Sequence, residues 1–171
     1  MRKKPMLAYP VSDKPIDYNN TVFMQPKLDG VRCLIQQEYD EVVSANVIRA
    51  YSRTGKEWKN IKHILEACRP FFQANPDVIL DGELYNHALR DDFEKIISCV
   101  RKTKPTAIDK AESRKLVQFH CYDIVDETLD FQSRSIRLNA LLEPTYSIKL
   151  VKTIVTPTES QAKVNHAFFF F

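Results

Sequence analysis

Gln25-Pro26-Lys27-Leu28-Asp29-Gly30-Val31-Arg32 joins two short extended stretches, residues 22–24 before it and residues 31–36 running on from its end. Both read as strands, so Lys27 falls at a strand end or in a loop. The segment collects a lysine, a carboxylate, a glycine and an arginine, and that set suggests nucleophilic chemistry. A lysine amine has a reference pKa of about 10.4 and attacks only where burial or a neighbouring positive charge lowers that value. Arg32 or a bound metal supplies such charge. Gly30 lets the backbone come close to a ligand, and Asp29 orients the amine or organises the loop. Taken alone, the segment reads equally well as a charged hairpin connection.

Outward from here the chain uses only 3 glycines, and each marks special backbone: Gly30 and Gly82 follow an aspartate, and Gly55 closes Ser52-Arg53-Thr54-Gly55. Residues 42–51 are rich in β-branched side chains and read as extended, ending where Gly55 supplies the positive φ of a turn. Ile61, Ile64, Leu65, Cys68 and Phe72 recur at helical spacing behind Asn60, which predicts one helix over 60–72 capped by Asn60. Residues 78–84 have a strand pattern interrupted by Asp81-Gly82-Glu83. Two carboxylates there are costly to bury without partners. Asp91 with Glu94 predicts a capping-box start to a second helix, which carries Phe93, Ile96, Ile97 and Val100 on its apolar face.

Residues 102–115, polar and containing Pro105, read as a surface excursion. Residues 116–125 alternate as a strand, with Val117, Phe119 and Cys121 on one side and His120, Tyr122 and Ile124 on the other. A helix over 133–142 and a strand over 148–155 follow. Thr156 as N-cap, Pro157 in the first turn and Glu159 third predict a last helix, continued by Val164, Ala167, Phe168 and Phe171. The mixed order of strands and helices gives an α+β class with mainly antiparallel sheets and flanking helices.

Length and composition bound the rest. At 171 residues, with 44% hydrophobic and 27% charged side chains, the chain is one globular domain or part of one. A net charge of +3, from 25 basic against 22 acidic residues, says little about polyanion binding. The basic clusters at 101–104 and 110–115 fit a solvated face as well as a duplex backbone. Met6, Leu7 and Ala8 are too few for a signal-peptide apolar segment, and no apolar run reaches membrane length. Cys33, Cys68, Cys99 and Cys121 form no CxxC pair, and His63, His87, His120 and His166 show no helical metal spacing. A zinc site and a disulfide framework are therefore not expected, and the compartment is a reducing one, cytoplasmic or nuclear.

Four ordered segments carry a resemblance. Lys27-Leu28-Asp29-Gly30-Val31-Arg32 is similar to the KxDGxR signature of the covalent nucleotidyltransferases: ATP-dependent DNA ligases, RNA ligases and mRNA capping enzymes. Ser52-Arg53-Thr54-Gly55 resembles the SR-containing segment of DNA ligases, Asp81-Gly82-Glu83-Leu84 their DGE strand, and Phe119-His120-Cys121-Tyr122-Asp123-Ile124 the aromatic-Asp strand beyond it. The chain looks most like compact viral or phage DNA ligases that lack a separate N-terminal DNA-binding domain.

The resemblance implies an ATP-grasp-like adenylation domain in which Lys27 attacks ATP, with Mg²⁺ as cofactor and nicked duplex DNA as partner, working as a monomer away from membranes. It implies that Glu83 binds a ribose hydroxyl or assists the metal, that Tyr122 stacks on adenine, and that Gln25 reads the adenine edge. Arg32 and Arg53 would hold phosphates of the adenylate and of the nick, with Ser52 donating to the same phosphate. The family also carries a later EGxxxK strand, a lysine-rich strand and an oligonucleotide-binding domain, none of which occurs in residues 1–171. The domain is therefore expected to be incomplete and, alone, poorly active. RNA ligase or capping guanylyltransferase stays open as the alternative enzyme, and a nonenzymatic nucleotide-binding remnant as the alternative from another class; Ser52-Arg53 favours DNA ligase.

Overall fold

The computed structural model describes residues 5–7 and 9–169. Among these the chain runs β1 (Phe23–Met24), β2 (Val31–Asp40), β3 (Ala45–Tyr51), α1 (Lys62–Ala67), α2 (Arg69–Ala74), β4 (Leu80–Tyr85), α3 (Phe93–Val100), α4 (Ala107–Leu116), β5 (Gln118–Ile124), α5 (Phe131–Leu141), β6 (Ile148–Leu150), β7 (Ile154–Val155) and α6 (Glu159–Phe169). Two units result: Leu28–Leu150 with Pro5, and the described residues of Met6–Lys27 and Val151–Phe171. The boundary runs between Lys27 and Leu28, inside the segment with which the sequence reading began. No helix among the described residues is long and apolar enough to cross a membrane.

The first unit is built on a five-stranded sheet in the order β3-β2-β4-β5-β6, antiparallel except for β5 with β6. The expected α+β class with antiparallel sheets is found. Strand alternation sends Cys33 and Ile35 of β2, Leu80 and Leu84 of β4, and Phe119 and Cys121 of β5 into one core. Ile64, Cys68 and Phe72 from the α1–α2 segment and Leu138 of α5 join the same cluster. Each fully buried side chain of this size contributes about 1.5–3 kcal/mol. The sheet is thus held from its apolar face, and the opposite face is left for polar side chains.

Several local expectations need correction. The helix predicted over 60–72 is two helices, because Pro70 lies in the first turn of α2, where its missing N–H costs nothing. Asn60 is not a cap. Its amide donates instead to the carbonyls of Cys99 (2.9 Å) and Asp109 (3.2 Å), and its own carbonyl accepts from Ser113 Oγ (2.5 Å). The start of α3 is capped by Asp92 rather than Asp91. The supposed surface excursion over 102–115 contains α4, opened by a capping box in which Thr106 Oγ1 accepts from Asp109 N and the Asp109 carboxylate accepts from Thr106 N. That Thr-x-x-Asp signal is present in the sequence, and the polar composition masked it. Thr106→Ala is expected to lower stability by about 1 kcal/mol, read as a fall in Tm of about 2–4 °C in a thermal melt; an unchanged Tm would refute the cap's role.

The alternation predicted for β5 fails at one place. Leu80 pairs with Ile124 and Asp81 with Asp123, but Gly82 pairs with Cys121, so β5 carries one residue more than β4, Tyr122. This bulge turns Ile124 onto the core side, where it is 2% exposed, instead of leaving it beside Tyr122.

In the second unit β1 pairs with β7, Phe23 opposite Val155 and Met24 opposite Ile154. The strand predicted over 148–155 is therefore two, β6 in the first unit and β7 in the second. Thr156 is fully buried and its N–H donates to the Val22 carbonyl (2.8 Å), so the cap of α6 falls to Thr158, whose Oγ1 accepts from Gln161 N (3.1 Å). Of the predicted apolar stripe on this helix, Phe171 and the side chains of Ala167 and Phe168 lie outside the described residues, as do Met1 to Lys4 and Ala8.

Candidate active site

The pleat that buries Leu80, Gly82 and Leu84 points Asp81, Glu83 and Tyr85 to the opposite face of the sheet. Arg32 of β2 is in register with Glu83, and Glu83 in turn with His120 of β5. Arg32 crosses to Asp81 and grips it through two parallel bonds, Nε to Oδ1 and Nη2 to Oδ2, each 2.6 Å. The guanidinium carbon lies 5.1 Å from the centre of the Tyr122 ring, and the Tyr122 hydroxyl donates to Glu83 Oε2 at 3.4 Å. Three residues singled out in the sequence, Arg32, Glu83 and Tyr122, thus meet on one surface. Alternation from Phe119 and Cys121 turns Tyr122 to this side, and the bulge beyond Cys121 changes the face of Ile124 rather than that of Tyr122.

Asp81 was not among the expected site residues. The signal for it was present, an acid inside a strand pattern that requires a partner; what the sequence withheld was that the partner is Arg32, forty-nine positions away. Burial raises the Asp81 carboxyl, and the Arg32 guanidinium offsets this through its hydrogen bonds and charge. On the arginine's side burial works against the charge, but Asp81, then Tyr122 and Glu83, hold it above its ordinary value. Two short parallel bonds fix the guanidinium fork against the carboxylate. Burial, followed by the charge of Asp81, pushes the Tyr122 phenol well above its usual range, so the hydroxyl remains a neutral donor.

His120 sits beside Glu83, edge-on to the Tyr85 ring at 5.1 Å between centres. Burial first, then the charges of Lys149 and His87, lower it to about 4. A folded pKa below the unfolded one means that the unfolded chain binds the extra proton. The stabilisation is therefore complete above about pH 6.5 and is lost as pH falls toward 4. With allowance for solvent screening the loss is on the order of 2 kcal/mol. His120→Gln is expected to remove this component, so that wild type and variant differ in the slope of Tm between pH 7 and pH 4.5. Parallel slopes would refute the assignment.

The other predicted residues are distributed as follows. Lys27 is exposed, at the end of a second-unit segment, and has no hydrogen bond or ion pair among the described residues. Gln25, two positions earlier, donates to Thr153 Oγ1 at 2.8 Å within that unit. Asp29 is exposed and its charge is felt by Tyr85. At Gly30 a Cβ would lie 2.4 Å from the Leu84 carbonyl oxygen, so the backbone there passes close against β4. Ser52 organises its turn, with its Oγ accepting from Lys56 N (3.0 Å) and Gly55 at φ 83°, as the sequence predicted. Arg53 projects from that turn and is exposed.

Chemically, the face offers an aromatic ring for stacking, a carboxylate suited to a sugar hydroxyl, and a guanidinium suited to phosphate. Its carboxylates are hard oxygen donors of the kind Mg²⁺ prefers, although among the described residues no three His, Cys, Asp or Glu side chains converge on one point.

Comparison with known proteins supplies the context. The family described as ATP dependent DNA ligase domain matches residues 5–167. The fold is similar to that of a Lig E DNA ligase, studied for DNA binding with a minimal scaffold, at 20% identity and a TM-score of 0.64, covering 96% of this chain and 56% of that one. It is also similar to the ATP-dependent DNA ligase of bacteriophage T7 in complex with ATP, at 15% identity and a TM-score of 0.53, covering 85% of this chain and 52% of that one. The chain therefore spans about half the length of these proteins. A comparison with curated protein sequences returned no match.

Proposed function

This chain belongs to the ATP-dependent DNA ligase domain family, and from that premise we propose that it is the adenylation part of an enzyme that seals nicks in duplex DNA. Lys27 attacks the α-phosphorus of ATP; the new P–N bond forms as pyrophosphate leaves with the electrons of the P–O bond. The AMP then passes to a DNA 5′-phosphate, and a 3′-hydroxyl displaces it to close the strand, as replication, recombination and repair require. Each step is phosphoryl transfer, in which a protein contributes mainly position and charge.

In this reading Tyr122 stacks on adenine, Glu83 accepts from the ribose and Arg32 stabilises phosphate, while Gln25 reads the adenine edge and Asp29 orients the Lys27 amine. Ser52 and Arg53 hold the 5′-phosphate of the nick. Mg²⁺, bound by Glu83 together with substrate oxygens, would neutralise charge on the phosphates. The enzyme works as a monomer in the cytoplasm or nucleus. The observation that carries the proposal is the gathering of Arg32, Glu83 and Tyr122, from three separate strands, on one sheet face.

Residues 1–171 contain no EGxxxK strand. The expected behaviour is ATP binding with little covalent transfer, and transfer restored when a polypeptide carrying that strand is fused or added. Incubation with ATP radiolabelled at the α-phosphate, followed by denaturing electrophoresis, tests both arms. Robust labelling of residues 1–171 alone would overturn the incompleteness, and no labelling even after completion would overturn the proposed activity.

A further inference from the structure

Asp123 follows Tyr122 directly and is held from another element. Arg134 of α5 donates Nε to Asp123 Oδ1 and Nη2 to Asp123 Oδ2, both at 2.9 Å, and Nη1 to the Leu129 carbonyl at 2.8 Å. Both side chains are nearly buried, 10% and 13% exposed. The Asp123 carboxylate also accepts from Ile124 N at 2.8 Å, and the Cys121 thiol faces the carbonyls of Asp81 and Asp123 at 3.5 Å. Cys121 and Asp123, on either side of Tyr122, are thus each held by hydrogen bonds, while the Tyr122 ring is turned toward Glu83 and Arg32.

We infer that the Arg134–Asp123 ion pair is a positioning device for the nucleotide site, fixing the β5 bulge so that Tyr122 presents its ring beside Glu83 and Arg32. The inference rests on the nucleotide reading given above and assigns Arg134 and Asp123 to it as positioning residues that do not touch the substrate. Docking of α5 does not depend on this pair, because Leu138 and Leu142, each 3% exposed, anchor that segment in the core. A buried ion pair is weak evidence for stability, since an apolar pair of similar volume does as well, but its fixed two-bond geometry sets the local backbone. A bulge without such a tie has an alternative register one residue away, and a slip there would carry Tyr122 to the core side.

The test uses the full chain. Arg134→Lys keeps the charge and loses the fork. Because an uncompensated Asp123 could unfold the protein, the paired variant Asp123→Asn with Arg134→Met removes both charges together. ATP dissociation constants are measured by calorimetry in the native background and in Tyr122→Leu. The paired variant is expected to weaken ATP about tenfold where Tyr122 is present and less than about twofold where it is already replaced, with Arg134→Lys intermediate. Equal losses in both backgrounds, or no loss, overturn the inference. Should the native chain bind no ATP, the nucleotide reading is what fails, and the positioning claim is decided by nuclear Overhauser contacts between the Tyr122 ring and the side chains of Glu83 and Arg32. Their disappearance in the paired variant upholds the positioning, and their persistence overturns it.

Discussion

Lys27→Arg is expected to leave ATP affinity within about threefold and to lower covalent AMP transfer by about 10⁴-fold or more, measured in a polypeptide completed by an EGxxxK strand. The two side chains carry the same charge and similar reach, so a contribution of residue 27 to phosphate binding survives the exchange. Nucleophilic attack does not survive it. A lysine amine can give up its proton and then offers a lone pair to phosphorus, whereas the guanidinium of arginine stays protonated at any pH a protein tolerates. Lys27 is exposed and has no ion-pair partner among the described residues, so its replacement disturbs no packing, and Tm should not change. Electrophoresis of the α-labelled product separates the possibilities. A labelled Lys27→Arg protein would show that another residue is the nucleophile, and the mechanism proposed above would fall with it.

The legibility of this site followed from distance along the chain. Lys27, Asp29 and Arg32 lie within six residues, and the Asp81-Gly82-Glu83 strand declared itself by placing two acids where a strand should be apolar. The turn at Gly55 was readable because only a positive φ explains a glycine after Ser52-Arg53-Thr54. What escaped were the pairings that only tertiary structure creates. Arg32 with Asp81, and Arg134 with Asp123, join residues whose separations of 49 and 11 correspond to no local rule. The bulge escaped for a related reason: period-two alternation has no symbol for an inserted residue, so Ile124 was assigned to the wrong face. Helix α4 was hidden by its own solvation. Ser113 is its only buried residue, so the apolar stripe by which helices are usually recognised is missing, and the capping box was the signal to use.

Gly82→Ala is expected to cost about 3 kcal/mol, read as a fall in Tm of about 6–12 °C, and to weaken ATP binding at the same time. A methyl group built at this position would lie 2.4 Å from the His120 carbonyl oxygen and 2.6 and 2.8 Å from atoms of the Phe119 ring. Neither neighbour can yield cheaply. The carbonyl belongs to the backbone of β5, and Phe119 is fully buried in the core, where close packing resists displacement of its ring. The only relief is for β5 to move away from β4, which strains the ladder on the residues flanking the bulge and carries Tyr122 with it. Gly55→Ala provides the control. A Cβ there meets nothing within 4 Å, and the cost is the positive φ alone, about 1 kcal/mol. Since Gly55 belongs to the Ser52-Arg53 turn and not to the β4–β5 ladder, its variant should keep ATP affinity near that of the native chain. If the two alanine variants lose equal stability and equal affinity, the close packing of β5 against Gly82 is not what holds Tyr122 in place.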